Sequence, residues 1–561
     1  MSAEPQPILR PQAVTGSQAV VEALLHCGIK CGFGIPSIHN IALYEGLRQA
    51  PGFHHWVVRH EQAAGFAADA FYRHSGRIAA VFASTGPGNL FTLVPLLESL
   101  QTNTPVLVIG SNIASNLLTK AGGALHETPQ QIEIFKSLTR FNRRVNSPEE
   151  LQGTIVEAAE MLHGPAPGPA FIEISHDFFH APVNTSFPQE RKRSTPSPMP
   201  SAAALADAAG RIAHSKTPAI VIGNGIRAYT AEIRELAEKL QAPVLTTTSG
   251  KGLVADDHAL AFGCISRLGV VQEVLDKSDL LITIGAKLTE FDTGRFTLRL
   301  PPEHVQIVEE ANYGGERFTP SVRLVGDIGA IARSLLEKTK SRSTWCDISG
   351  IKAREQSRLE ELKADPYSAI RLLRGALGRE DVVVNDQSIL NYWASAFFPV
   401  LEPGTFIYPS GSGTLGYGLP AAIGAACAMR LKGEERRIVC IAGDGGFQYT
   451  LHELATLGQY GLPVKILLVN DNAYGIIGFL QRSMFGTTHE VALQNPDFCR
   501  LAEAYGVRAE RVNTIDQLQQ RLSGWLDSAG PALLEWRTEL KAPWEVGAIH
   551  RPTNLAPAAP K

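Results

Sequence analysis

The chain has 561 residues, 44% of them apolar, and a formal net charge of −3 at neutral pH. Such a length carries three or four domains with substantial cores, and the near-neutral charge supplies no basic field for nucleic acid or an anionic membrane. Seven cysteines, an odd number spread along the chain, make no disulfide framework, and no apolar run reaches the length of a membrane span.

The start, Met1 to Pro11, is polar and Pro-rich without an apolar signal core, so the expected location is the cytoplasm. A first block, residues 12–184, alternates helical patterns with short apolar runs such as Ile78-Ala-Ala-Val-Phe82, Val106-Leu-Val-Ile109 and Ala170-Phe-Ile-Glu-Ile174. Cys27 and Cys31 are spaced to share one helical face; with no second ligand pair following, they read as packing residues. After the run ending at Val57-Val58, Glu61 opens a segment of small residues, Gln62-Ala-Ala-Gly65-Phe-Ala-Ala-Asp69, expected to be a tightly packed helix. A glutamate near a helix start is also ordinary, since it complements the dipole.

Residues 184–201 are polar with four prolines and read as a linker. The second block, 200–340, contains Ala219-Ile-Val-Ile222-Gly223-Asn-Gly225, Pro243-Val-Leu-Thr246 and Asp279-Leu-Leu-Ile-Thr-Ile284-Gly285, strand-and-turn units of another α/β domain. Gly223-Asn-Gly225 lacks the third glycine and the distal acid of a dinucleotide fingerprint, so that motif is weak. A charged helical stretch, 351–363, leads to the third block, 366–545. The expected fold is α/β, with three doubly wound parallel-sheet domains. The last residues, 549–561, are rich in Pro and Ala. No repeat of 20 to 50 residues is visible, although the first and third blocks are alike in style.

The third block holds the most informative pattern. The β-branched-rich runs Ile438-Val-Cys-Ile-Ala442 and Val464-Lys-Ile-Leu-Leu-Val469 are unbroken, as parallel strands covered on both faces should be. Between them, residues 451–460 have helical spacing and are stopped by Gly461 and Pro463. Asp444 and Asp471 follow the two runs, at the carboxyl ends where such sheets bind ligands. Gly443, Gly445 and Gly446 allow phosphate to approach the backbone, and the helix start adds N–H donors. Two carboxylates beside a phosphate cradle suit Mg²⁺, which takes octahedral oxygen ligation and shares it with phosphates. Gly-Asp-Gly alone is often only a turn; the second aspartate after a strand favours the site.

These residues, with the Glu61 segment and Ser410-Gly-Ser-Gly413-Thr-Leu415-Gly-Tyr-Gly-Leu-Pro420, resemble the thiamine diphosphate-dependent enzymes of the acetolactate synthase, pyruvate oxidase and 2-oxo acid decarboxylase group. The resemblance covers almost the whole chain. It implies a pyrimidine-binding, a middle and a diphosphate-binding domain, with Mg²⁺ held by Asp444, Asp471 and the carbonyl of Ala473. Asp471 stands where the family usually has Asn, which keeps a hard oxygen ligand but adds charge. By the same resemblance Glu61 is the catalytic carboxyl that bonds the aminopyrimidine ring, Leu415 wedges between the cofactor's two rings, and the Gly413 carbonyl accepts the ring's amino hydrogen. The cofactor would lie between the first domain of one subunit and the third of another, so a homodimer or homotetramer is expected. Flavin-bearing relatives carry a Gly-Met-His-Gly-like element and an Arg where this chain has Gly263-Cys-Ile-Ser-Arg-Leu-Gly269 and Lys287; this argues against FAD.

The implied reaction is decarboxylation of a 2-oxo acid, with release of an aldehyde or transfer of the acyl-carbanion equivalent to an acceptor. Pyruvate decarboxylases use a His pair and a later Glu; here single His126 and Ile477 occupy those places. Acetolactate synthases have Gln at the His126 position and Trp at the Leu480 position, although Ser84-Thr-Gly-Pro-Gly-Asn89 and Asn495-Pro-Asp-Phe498 keep their frame. Gly34-Ile-Pro36-Ser-Ile-His39 is similar to decarboxylases of larger substrates, including guanidino-oxo acids. His39 and His126 are candidates for proton donation or carboxylate contact, since imidazole changes charge near neutral pH. Ile476, Ile477 and Leu480 would form an apolar wall on cofactor and substrate. The altered pocket also leaves open a cofactor-binding but inactive regulatory subunit.

Overall fold

The computed structural model describes residues 14–118, 122–184, 199–311 and 317–550. The polar start, residues 185–198 of the Pro-rich linker and residues 551–561 of the tail lie outside the described residues. The chain divides into two compact units, the first running to residue 195 apart from 73–75, the second comprising those three residues and everything from 196 on.

The first unit contains β1 (Val14–Thr15), β2 (Cys31–Gly34), β3 (His54–Val57), β4 (Ala80–Ala83), β5 (Leu107–Asn112), β6 (Phe141–Arg144), β7 (Ala170–Ser175) and β8 (Pro182–Val183). β2 to β7 form one parallel sheet in the order β3-β2-β4-β5-β7-β6, while β1 and β8 pair antiparallel. Every residue of β2, β4, β5 and β7 is buried, as expected of strands covered by helices on both faces. The expected small-residue helix is Glu61–Ser75, with Ala63, Ala64, Ala67 and Ala68 almost fully buried. Its smallness is used: a Cβ on Gly65 would lie 2.4 Å from the Pro95 ring.

The second unit holds two more parallel six-stranded sheets. The first is built from β9 (Pro218–Ile222), β10 (Val244–Thr246), β11 (Ala261–Cys264), β12 (Leu280–Ile284), β13 (Glu303–Val308) and β14 (Val322–Val325) in the order β11-β10-β9-β12-β13-β14. The second is built from β15 (Val382–Asn385), β16 (Phe406–Ile407), β17 (Ile438–Gly443), β18 (Val464–Asn470), β19 (Arg508–Val512) and β20 (Ala532–Arg537) in the order β16-β15-β17-β18-β20-β19.

Counting strands along the chain within each sheet, the outer two sheets share one order, second-first-third-fourth-sixth-fifth, and the middle sheet runs third-second-first-fourth-fifth-sixth. The likeness between blocks one and three is therefore topological. Each order turns back beside the first strand of its sheet: between β2 and β4, between β9 and β12, and between β15 and β17. At such a switch the connections leave to opposite faces and open a crevice beyond the strands' carboxyl ends.

Two local expectations are corrected. Cys27 and Cys31 do not share a helix face, because the helix ends at His26 and Cys31 already belongs to β2. Gly28, at φ 76, makes the turn between them. Burial raises both thiols, Cys27 to about 11 and Cys31 to about 12, as fits inert packing residues. The helix between the two aspartates is shorter than its spacing suggests: Leu451–Glu453 is a 3₁₀ turn and the α-helix proper is Leu454–Tyr460, closed by Gly461 at φ 56.

Candidate active site

At the switch point of the third sheet, β17 ends in Gly443 and a short helix begins at once with Asp444. The neighbouring β18 ends in Asn470, and Asp471 follows. Parallel pairing in register, Gly443 beside Val469, sets the two carboxyl groups side by side, close enough for each to feel the other. Both carboxyls are held above their ordinary range, first because they are buried and, for Asp471, because Asp444 adds its negative charge. Two carboxyls side by side, one buried and one half-buried, form a set of hard oxygen donors, and a divalent cation between them would relieve the repulsion.

The turn around them is narrow. A Cβ on Gly445 would lie 2.7 Å from the Tyr474 ring, one on Gly446 2.8 Å from Asp386 Oδ1, and one on Gly475 2.3 Å from Asp471 Oδ2. Asn472 takes the left-handed conformation at φ 54, tolerated by Asn, and its N–H donates to Asn470 Oδ1 at 3.1 Å. The Ala473 N–H donates to Asp471 Oδ1 at 3.1 Å, and the Tyr474 N–H to the Val491 carbonyl at 2.9 Å. The loop bearing Asp471 and Ala473 is therefore tied at both ends. The donor set and the glycine cradle fit Mg²⁺ and a diphosphate.

Asn495 had no role in the sequence reading. Its Nδ2 donates to Asp444 Oδ2 at 2.5 Å and to Asn470 Oδ1 at 3.0 Å, while its Oδ1 accepts from Gln448 Nε2 at 2.8 Å. One amide thus orients both strand-end residues. The sequence showed it only as part of the family frame Asn495-Pro-Asp-Phe498, because the contact spans 51 residues.

Of the loop expected to meet the pyrimidine, Gly413 has φ 65 and Gly416 φ 79, both in the left-handed region that favours glycine. Leu415 between them is half-buried, and Gly418 starts the Ala-rich helix Gly418–Lys432. On the following helix, Gly475–Phe485, Ile476 and Leu480 are one turn apart and half-buried, whereas Ile477 is 46% exposed.

In the first unit, Glu61 opens its helix after β3, behind the N-cap His60, whose Nδ1 accepts the Gln62 N–H at 3.2 Å. A Cβ on Gly88 would lie 3.0 Å from Glu61 Oε1, so the Ser84-Thr-Gly-Pro-Gly88 turn lies against that carboxyl. On the other side of the same turn, a Cβ on Gly86 would lie 2.6 Å from the His126 carbonyl. His39 and His126 come together, ring centroids 5.3 Å apart, with His176 as a third member 5.4 Å from His39. They follow β2, β5 and β7, all at the carboxyl edge of the sheet, which sequence spacing could not reveal. Burial, then the charges of His176 and His126, hold His39 below the usual imidazole range.

In the middle sheet the stretch 263–269 is filled by its own arginine. Arg267 donates to the Phe262 carbonyl at 2.7 Å and pairs with buried Glu355, and a Cβ on Gly263 would lie 2.4 Å from its Nη1.

Three segments match known domains: residues 14–134 the N-terminal TPP binding domain of thiamine pyrophosphate enzymes, 205–335 their central domain, and 386–536 their C-terminal TPP binding domain. The chain is 32% identical to a probable 2-ketoarginine decarboxylase, AruI, of Pseudomonas aeruginosa, over 94% of this chain and 95% of that one. It is 29% identical to a probable acetolactate synthase large subunit of Methanocaldococcus jannaschii, over 93% and 91%. With the large subunit of acetolactate synthase isozyme 1 of Escherichia coli it shares 27%, over 94% of each. The chain belongs to the thiamine pyrophosphate enzymes, as a thiamine diphosphate-dependent lyase or transferase acting on 2-oxo acids.

Proposed function

We propose that this protein decarboxylates a 2-oxo acid with thiamine diphosphate and Mg²⁺, then releases an aldehyde or transfers the acyl-carbanion equivalent to a second carbonyl. The observation that carries the reading is the side-by-side pair of buried Asp444 and half-buried Asp471 beside the Gly445-Gly446 turn. When bound, the cofactor supplies the carbon nucleophile and the electron sink that the loss of CO₂ requires. Asp444, Asp471 and the Ala473 carbonyl hold the metal, and the glycine turn lets backbone N–H groups reach the diphosphate. Glu61 holds and moves a proton at the pyrimidine ring nitrogen. The Gly413 carbonyl would orient the ring amino group and Leu415 would pack against the rings, a placement that lets the reacting atoms meet without a search. His39 and His126 contact the substrate carboxylate or donate a proton to the carbon that has lost it. Ile476, Ile477 and Leu480 exclude water from that carbon.

The working form is read as a homodimer or homotetramer in which Glu61 of one copy serves a cofactor held by the Asp444 loop of another. In support, Phe91, Val94 and Leu97, three residues apart, are 46%, 43% and 37% exposed, and the Phe91 ring is 4.4 Å from that of His60 beside Glu61. Such an apolar row suits a second copy of the chain. Sedimentation of the purified protein finding only monomer, with or without cofactor, would remove this part of the reading.

The deciding experiment is CO₂ release from a panel of 2-oxo acids, with and without an aldehyde or oxo-acid acceptor, followed by product identification. Turnover should vanish in Glu61→Gln, by on the order of 10²–10⁴-fold. A guanidino-oxo acid belongs in the panel because one relative is named a probable 2-ketoarginine decarboxylase. Aldehyde against hydroxyketone decides between release and ligation. No turnover on any donor by protein with bound cofactor would overturn the proposal in favour of a regulatory subunit.

A further inference from the structure

At the same switch point where Asp444 emerges, the first strand of the sheet, β15, ends one residue before Asp386. Its side chain is 1% exposed. Three backbone N–H groups donate to its carboxyl: Gln387 at 2.7 Å and Gly416 at 3.1 Å to Oδ1, and Gly418 at 2.9 Å to Oδ2. Among the described residues no basic side chain pairs with it. Its backbone N–H donates to the Ile441 carbonyl of β17 at 2.8 Å, which holds it against the neighbouring strand.

Two cofactor-facing loops depend on this one group. The carboxyl binds the loop of Gly413 and Leu415 through Gly416 and Gly418, and Thr450 Oγ1 closes the other side by donating to the Gly416 carbonyl at 3.0 Å. The same Oδ1 leaves room only for glycine at 446, since a Cβ there would come within 2.8 Å, and a Cβ on Gly418 would come within 2.9 Å of Asp386 Cβ.

Burying a carboxylate without a cation is costly, and burial raises this one to about 6 despite its three donors. Asn, which makes the same turns as Asp, would avoid that cost. What a carboxylate adds is acceptance at both oxygens. An Asn of the same shape turns an N–H donor toward the Gly418 N–H, or else toward those of Gly416 and Gln387.

We propose that Asp386 is a positioning residue that fixes the loop of Gly413 and Leu415 in register with the Gly445-Gly446 turn, so that the pyrimidine and diphosphate ends of the cofactor meet a single preset template. This inference rests on the proposed function.

The test is Asp386→Asn, read by thermal unfolding without cofactor, by titration with thiamine diphosphate and Mg²⁺ followed by intrinsic fluorescence, and by amide hydrogen exchange. The variant should unfold close to the parent's temperature, because the loss of a buried charge offsets the backbone N–H left without an acceptor. Its dissociation constant for the cofactor should rise roughly tenfold, as expected for one charge-assisted hydrogen bond. Exchange should accelerate in peptides covering 409–419 and not in those of the middle sheet. Unchanged affinity and unchanged exchange would overturn the inference. Should Asn at 386 prevent folding, the parent protein decides: without cofactor, amides 416 and 418 should exchange slower than amide 414, and equal rates would overturn the inference. A parent that takes up no cofactor would instead defeat the proposed function, so the two failures are distinct.

Discussion

At the scale of single residues, the aspartate pair has a chemistry that its partners control. Asn495 touches no substrate in the proposed reading, yet its amide holds Asp444 at 2.5 Å and Asn470 at 3.0 Å. Groups that orient a ligand atom commonly contribute about 10–100-fold to metal affinity. Asn495→Ala should therefore raise the Mg²⁺ concentration for half-maximal cofactor binding by that factor, with little change in the unfolding midpoint of the metal-free protein. Asp471→Asn makes a different prediction. It keeps an oxygen ligand and removes the like charge beside Asp444, so the metal-free protein should become more stable toward urea while the Mg²⁺ requirement rises several-fold by the same range. If neither substitution changes the Mg²⁺ requirement, these side chains do not hold the metal. Both aspartates were legible in the sequence because each directly follows an apolar run. Asp386 and His176 were not, since nothing local distinguishes them from any loop Asp or His, and Asn495 stood only within a family frame.

At the scale of elements, the helices that begin at the site are made of small residues because they lie close to their neighbours. In Gly418–Lys432 every residue from Gly418 to Met429 is buried, and in Glu61–Ser75 Gly65 lies against Pro95. A methyl group on Gly65 would meet a proline ring that cannot rotate away. Gly65→Ala should destabilise the first unit by about 1–3 kcal/mol despite alanine's better helix propensity. Urea unfolding monitored near Trp56 would check this, and a stabilised variant would refute the packing argument. The strand runs were legible for the same physical reason: residues covered on both faces must be apolar without alternation, as in β17 and β18. Their ends were less so. β5 runs on to Asn112 and β18 to Asn470, because polar residues whose side chains find partners can finish a buried strand.

At the scale of the whole molecule, a buried histidine and a half-buried one, in two different sheets, set an acid limit. His304 in β13 is 4% exposed and accepts or donates one bond to Thr283 Oγ1 at 2.8 Å. Burial, then the Arg323 charge, lowers it to about 4; His55 in β3, beside the Tyr44 hydroxyl, is lowered to about 4 by burial. A folded value below the unfolded value means that the folded state resists protonation. The stability is complete above about pH 6.5 and is lost as pH falls toward 4, by roughly 3 kcal/mol for His304 alone. Urea midpoints measured from pH 7 to 4 should fall for the parent and fall less for His304→Gln; equal slopes would contradict this account. The middle sheet also bears on the expected lack of flavin: Arg267 is directed inward onto Glu355. Absorbance of the purified protein between 400 and 500 nm provides the check.

From the sequence by itself came the class of fold, the parallel strands, the glycine turn with its two aspartates, and Glu61 at a helix start. Each is written in residues that are neighbours along the chain, where steric freedom, periodicity and capping act over a few positions. Only the tertiary structure decided the strand orders, the meeting of His39 with His126 and His176, the amide of Asn495 on Asp444, and the carboxyl of Asp386 under two loops. Those contacts join residues from different strand ends. They exist because crossover helices return each strand parallel to the last, gathering distant segments at one edge of a sheet, where their polar groups must find one another once water is excluded.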